Sequence, residues 1–387
     1  MGSLADFQNE IYLNGLGDVL PELPTDLTAL ERAAEERMTP AAFGYVAGSA
    51  GTESTARANR DALERRRIVP RMLRDVAAPD LSVDLFGQTL SSPVLLGPIG
   101  VLTIVHPEGE LAVARAAAAL GVPMVLSSAA SHPIEEVARA NADGPRWFQL
   151  YWSKDREVAA SFLARAKAAG YTALVVTLDT HTLGWRPRDL DQAYLPFLRS
   201  IGVANYFSDP EFQKAVGGPV DDSNRTAALL RWAANFGDPS LSWDDLPFLR
   251  EHWDGPIVLK GIQHPDDARR AVDAGMDGVV VSNHGGRQVD GAIGSLDALP
   301  GVAEAVGDRT TVLFDSGIRT GSDVIKALSL GARAVLLARP YAYGLALAGE
   351  AGVRHVLRCL LADLEISMTL AGASRPSALT PALLTHP

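Results

Sequence analysis

The chain has 387 residues, 47% of them hydrophobic, a mean hydropathy near zero and a formal net charge of −11. These values suit a globular protein with a large core, and the acidity argues against non-specific attraction to nucleic acid or an anionic bilayer. One cysteine (Cys359), no apolar run of the ~18 residues that span a bilayer and an N-terminus unlike a secretory signal lead us to expect a cytoplasmic protein.

Residues 1–90 read as short helical segments that cap one end of the fold. Four short apolar runs bounded by turn residues follow: SPVLLGPIG (92–100), VPMVLSS (122–128), RWFQLY (146–151) and ALVVTLD (173–179). A long segment rich in Pro, Asp and aromatic residues, 187–250, interrupts the pattern. A connection of that length is more often a lid or binding loop than a plain linker. Four further runs complete the series: PIVLKG (256–261), GVVVSN (278–283), TVLFDS (311–316) and AVLLAR (334–339). Continuous apolar runs suit strands buried on both faces, and the Ala-rich amphipathic segments between them suit crossover helices. Eight strand–helix units at this length close most economically into a (β/α)8 TIM barrel over 91–375, with an open doubly wound sheet as the alternative.

In a barrel the chemistry gathers at the C-terminal ends of the strands. Polar residues stand at those ends here: Gln149 with Tyr151, Thr177 with Asp179, Lys260, Ser282 with His284, and Asp315. Residues two apart on a strand face the same way, so each pair is expected on one side of its strand. Any one of these residues has an ordinary structural explanation. Their convergence on one rim points instead to a site for a polar, anionic ligand. After the last two strands, Ser316, Gly317, Arg319 and Arg339 could offer backbone N–H groups and guanidinium forks to a phosphate. The alternative is an ordinary helix start with exposed arginines. The histidines form no i, i+3 or i, i+4 pair, and no metal is expected.

The segments SNHGGRQVDG (282–291), LKGIQHPDDARRAVDAG (259–275), FDSGIRTGSDVIKAL (314–328), QLY (149–151), TLDT (177–180) and ARPYAYG (338–344) together resemble the FMN-dependent α-hydroxy-acid oxidase/dehydrogenase family. The resemblance runs from about residue 10 to residue 375, as one FMN hydroxy-acid dehydrogenase domain. It implies that His284 is the general base, oriented by Asp179. It implies too that Arg186 and Arg287 clamp a substrate carboxylate with help from Tyr45, and that Tyr151 donates to the reacting oxygen. For FMN, it places Lys260 beside N1 and O2, with Ser127, Gln149 and Thr177 along the ring edge. Pro98, Ile99 and Gly100 would run behind N5, and Ser282 and Ser316 would be among the cofactor-binding residues. Asp315 would bind the ribityl hydroxyls, and Gly317, Arg319, Ala338 and Arg339 would surround the phosphate. A homotetramer or homo-octamer is implied as well.

Within the family, GWRPRDL (184–190), YLPFLR (194–199), NYFSDPEFQK (205–214) and the long insertion look most like the lactate 2-monooxygenase members. Three positions depart from common patterns. Ala338 replaces a Gly before the phosphate-binding arginine, Ala129 stands where a bulky aromatic is found in plant glycolate oxidase, and Gly100 stands where typical oxidases carry Ala. The expected activity is oxidation of a small (S)-2-hydroxy acid, most simply L-lactate, with O2 as acceptor. Its products would be acetate, CO2 and water, or alternatively a 2-oxo acid and hydrogen peroxide; a non-oxidising FMN barrel such as an isomerase, or a binding protein, is the remote alternative.

Overall fold

The computed structural model describes residues 3–385. A two-stranded antiparallel hairpin, β1 (Val83–Leu85) and β2 (Gln88–Leu90), precedes eight parallel strands. These are β3 (Val94–Leu96), β4 (Met124–Ser127), β5 (Arg146–Tyr151), β6 (Leu174–Thr177), β7 (Ile257–Ile262), β8 (Gly278–Val281), β9 (Thr311–Phe314) and β10 (Ala334–Leu337). They pair in chain order and close where Val335 of β10 meets Val94 of β3. All eight apolar runs are therefore strands of one closed (β/α)8 barrel.

Period-two geometry splits each strand between two cores. Leu95, Val125, Trp147, Val175, Val258, Val280, Leu313 and Leu336 fill the barrel interior. Their neighbours Leu96, Leu126, Phe148, Val176, Leu259, Val281, Phe314 and Leu337 face the surrounding helices. With both faces buried, the strands have no polar side to show, which is why they read as unbroken apolar runs.

The N-terminal region does more than cap with helices. Val83, Leu85 and Leu90 of the hairpin belong to the interior core. The Phe86 ring lies 5.6 Å from that of Trp147, and a Cβ on Gly278 would come within 3.0 Å of it. Trp147 and Gly278 stand near the starts of β5 and β8, so the hairpin plugs the N-terminal end of the barrel. The helices Pro40–Ala47 and Ser54–Arg65 lie at the opposite end; the second packs on the turn that follows β8.

The insertion is largely helical, with segments Pro187–Asp191, Ala204–Phe207, Pro210–Ala215 and Arg225–Asn235, and a further helix, Leu246–His252, leads into β7. The fully buried Asp209 fixes it, accepting from Ser161 Oγ at 2.6 Å and pairing with Arg165 at 3.1 Å while capping its own helix. Phe197, Trp232 and Phe236 stack together, with centroids 4.7 Å apart for Phe197–Trp232 and 5.0 Å for Trp232–Phe236. Among the described residues, no helix is long and apolar enough to cross a membrane.

Candidate active site

Two positions beyond each interior apolar residue, toward the strand's C-terminal end, the same face of the strand turns polar. Val125 is followed by Ser127, Trp147 by Gln149, Val175 by Thr177, Val258 by Lys260, Val280 by Ser282 and Leu313 by Asp315. Six strands thus lay a polar tier over the apolar interior. Ser127 Oγ donates to Gln149 Oε1 at 2.8 Å, and Gln149 Nε2 donates to Thr177 Oγ1 at 3.0 Å. Lys260 Nζ donates to Ser282 Oγ and pairs with Asp315, both at 2.8 Å. Burial pushes the Lys260 ammonium down, but Asp315 and Asp179 outweigh it and hold it charged. On β3 and β10 the corresponding positions are Gly97 and Ala338, which leave space above the tier.

Past Val281 the chain leaves the strand. His284, Gly285 and Gly286 take φ of 58°, 66° and 81°. A Cβ on Gly286 would lie 2.6 Å from the backbone nitrogen of Ala56, and glycine alone suits both that contact and the left-handed φ. Strand alternation therefore does not govern the Ser282–His284 pair: Ser282 stays in the tier beneath, accepting from His284 N at 3.0 Å, while His284 stands above it. Asn283 anchors the turn through a reciprocal amide pair with Asn59, at 2.9 and 2.7 Å.

The His284 Nδ1 lies 2.7 Å from Asp179 Oδ1. A carboxylate there accepts the Nδ1 proton, which leaves Nε2 free as a base. Burial holds His284 below the ordinary imidazole range, reinforced by Lys260 and Arg186 and opposed by Asp179. Burial alone would raise Asp179, but the imidazole and Lys260 bring it to about 2. The resting couple is thus a neutral imidazole on an ionised carboxylate. Tyr151 is pushed up by burial and by Asp179, and so keeps its phenolic proton.

Arg186 and Arg287 face the same cavity. Arg287 donates to the carbonyls of Tyr45 and Gly48, both at 2.6 Å, and stands 5.1 Å over the Tyr45 ring. Deeper in, Arg339 donates to the carbonyls of Val46, Gly48 and Gly285 and to Ser49 Oγ. Arg319 donates to the Ile318 carbonyl. Among the described residues, none of these four guanidiniums has a carboxylate partner, whereas exposed arginines such as Arg188 and Arg250 do. Burial lowers Arg186 and Arg339 to about 10, which still leaves both charged at neutral pH. Four buried or half-buried cations without counter-charges around one space call for an anionic occupant.

That space is a cavity of about 1210 Å³ including its open mouth. Of the residues singled out from the sequence, Tyr45, Pro98, Ile99, Gly100, Tyr151, Thr177, Arg186, Lys260, His284, Arg287, Asp315, Ser316, Gly317, Arg319, Ala338 and Arg339 line it. Ser127, Gln149 and Ser282 do not; they sit in the tier below and reach the cavity through Thr177 and Lys260. Asp179 lines a neighbouring cavity and meets this one only through its contact with His284. Leu183 also forms a wall, and so do Phe197 and Phe236 from the aromatic-rich insertion expected to act as a lid or binding loop, although that pattern did not single out these two rings. The chemistry of the donors fits a flavin phosphate at the Arg319–Arg339 end. An ammonium beside the polar tier suits a ring that becomes anionic on reduction.

A parallel barrel with a histidine–aspartate couple and unpaired guanidiniums at its C-terminal rim defines a class of flavin-dependent oxidoreductase. The family model described as FMN-dependent dehydrogenase matches residues 34–386. The chain is 52% identical over 374 residues to the FMN-dependent alpha-hydroxy acid dehydrogenase qulF of Penicillium citrinum, covering 96% of this chain and 93% of that protein. It is 43% identical to an L-lactate oxidase of Lysinibacillus sphaericus, covering 91% and 90%. A crystal structure of mandelate oxidase with (S)-4-hydroxymandelic acid superposes with a TM-score of 0.83 at 40% identity, covering 94% and 98%. The chain belongs to the FMN-dependent α-hydroxy-acid dehydrogenase family; it is an FMN-dependent oxidoreductase of 2-hydroxy acids.

Proposed function

We propose that this protein oxidises a small (S)-2-hydroxy acid, L-lactate in the first instance, with O2 as the final acceptor. Arg186 and Arg287 grip the carboxylate, with Tyr45 alongside. Tyr151 donates a hydrogen bond to the reacting oxygen and keeps its proton throughout. His284 Nε2 takes up the proton released at the substrate, and Asp179 stabilises the resulting imidazolium. FMN, when bound, supplies a two-electron acceptor that dioxygen reoxidises. Pro98, Ile99 and Gly100 would flank it, Lys260 would favour its anionic reduced form, Asp315 and Ser316 would hold its ribityl chain, and Gly317, Arg319, Ala338 and Arg339 would hold its phosphate. Ser127, Gln149, Thr177 and Ser282 would support the ring from the tier below. The observation that carries this reading is that the His284–Asp179 couple opens onto a cavity with unneutralised guanidiniums.

For the fate of the product we favour the lactate 2-monooxygenase outcome, in which L-lactate and O2 become acetate, CO2 and water. That result requires the 2-oxo acid and peroxide to stay enclosed together. Two features support it. Gly100 lets the backbone close onto Ala129, where a Cβ would lie 2.6 Å from the Ala129 carbonyl oxygen. Gly202 brings the insertion down onto that same carbonyl. The second reading is an oxidase that releases 2-oxo acid and hydrogen peroxide, favoured by the L-lactate oxidase and mandelate oxidase relatives. Aerobic turnover of a panel of 2-hydroxy acids, with acetate, 2-oxo acid and peroxide all measured, separates the two. One peroxide released per lactate consumed excludes the monooxygenase outcome.

A further inference from the structure

The residue after Arg287 has no part in the scheme above, yet its side chain bridges both halves of the site. Gln288 Nε2 donates to the carbonyl of Asp179 at 2.6 Å and to that of Thr182 at 2.8 Å. Its Oε1 accepts from Arg186 Nη2 at 2.7 Å and from Gly184 N at 3.3 Å. Two N–H donors and two lone pairs are the whole capacity of an amide, and here all four are used. A flipped amide would set NH2 against the guanidinium and oxygen against two carbonyls, so the network fixes its orientation.

The backbone around it leaves no slack. A Cβ on Gly184 would collide with the Arg287 carbonyl and lie 2.8 Å from that of Gln288. Arg186 Nε also donates to the Arg287 carbonyl, at 3.0 Å. The segment 179–186 therefore lies pressed against 287–288, with the Gln288 amide as its fastener. The chemistry of the fastener matters. An amide oxygen orients the Arg186 guanidinium without neutralising it, so the full charge stays available to an incoming carboxylate. A glutamate here would orient it equally well but occupy it.

We propose that Gln288 is a positioning residue that aims Arg186 and fixes the segment carrying Asp179, so that carboxylate recognition and base orientation form one unit. The proposal rests on the reading of Arg186 as part of the carboxylate clamp. The test uses FMN-loaded protein and anaerobic bleaching with L-lactate, which separates half-saturation from limiting rate, in Gln288→Met, Gln288→Glu, Arg186→Lys and the Arg186→Lys/Gln288→Met double variant. Melting temperature and flavin absorbance report whether each variant is folded and loaded.

Loss of a hydrogen bond to a charged group predicts about tenfold weaker half-saturation for Gln288→Met, with a smaller change in limiting rate. Gln288→Glu keeps the shape and should weaken binding further, because its carboxylate competes with substrate for Arg186. In the double variant the two effects should fall short of additive, since both act on one guanidinium. If Arg186→Lys binds L-lactate normally, the clamp reading falls and this proposal with it. If Arg186→Lys is impaired while both Gln288 variants saturate like the parent, the clamp stands and Gln288 has no positioning role. A fall confined to the limiting rate, with half-saturation unchanged, also overturns the proposal.

Discussion

His284 is held in an uncommon backbone conformation, φ 58°, to stand above the tier and face the cavity. Its usefulness as a base depends on being unprotonated at rest, and burial together with Lys260 and Arg186 ensures that. The sign follows directly. A depressed pKa keeps the imidazole neutral at neutral pH, so kcat/KM should stay level there and fall only as pH drops below the ordinary imidazole range. Asp179 is the one strong influence in the other direction. Asp179→Asn should therefore move the acidic limb to still lower pH while slowing flavin reduction, by about 10² to 10⁴-fold if the base loses most of its effect. A limb that moves upward would show that the carboxylate does not face the imidazole in solution. His284→Ala should remain yellow and bleach orders of magnitude more slowly, because it removes the base and leaves the cationic end of the cavity intact. Anaerobic stopped-flow absorbance measures both variants.

Elements divide the labour by end. The hairpin β1–β2 closes the floor of the barrel with Leu85, which is 1% exposed, far from the rim that carries the chemistry. Leu85→Ala should cost about 2–5 kcal/mol through an unfilled cavity and leave half-saturation by substrate unchanged; denaturant melts alongside reduction kinetics check both halves. The insertion works at the other end. Gly202 takes φ 83°, and a Cβ there would overlap Val101 and lie 2.9 Å from the Ala129 carbonyl. Gly202→Ala should lift the insertion from the cavity wall and divert product toward free 2-oxo acid and peroxide, as read from the acetate-to-peroxide ratio. An unchanged ratio in a folded, loaded variant would remove the insertion from product retention.

Across the whole molecule, what the sequence reveals follows from how many residues share a signal. The barrel was legible because eight runs repeat the same two-sided burial. The rim was legible because, in six of the eight runs, the first polar residue inherits the inward direction of the apolar one two places before it. The hairpin escaped because two three-residue strands, VDL and QTL, are too short to show a period; only the FG turn, with Phe86 and Gly87 both at positive φ, hints at it. Gln288 lay in plain view within SNHGGRQVDG, but its partners Asp179, Thr182, Gly184 and Arg186 are some hundred residues away, and no local pattern announces a contact that distant.

Charge makes the last connection at this scale. The chain as a whole is acidic, at −11, yet it gathers around one cavity four guanidiniums that have no carboxylate partner among the described residues. Desolvating unpaired cations opposes folding, and an anionic ligand relieves that cost only in the folded state. Binding to the native state alone stabilises by RT ln(1 + [L]/Kd), about 2.7 kcal/mol at a hundredfold excess over Kd. FMN should therefore raise the melting temperature of flavin-free protein substantially. Riboflavin, which has the ring but lacks the phosphate, should raise it much less at equal concentration, and inorganic phosphate alone should give a small rise of its own. Substituting methionine for Arg339 should shrink the advantage of FMN over riboflavin, because one of the two guanidiniums at the phosphate end is gone and Arg319 remains. Thermal melts of the flavin-free protein with each ligand make the comparison. Equal stabilisation by FMN and riboflavin in the parent protein would mean that Arg319 and Arg339 do not receive the phosphate and that the deep end of the cavity holds something else.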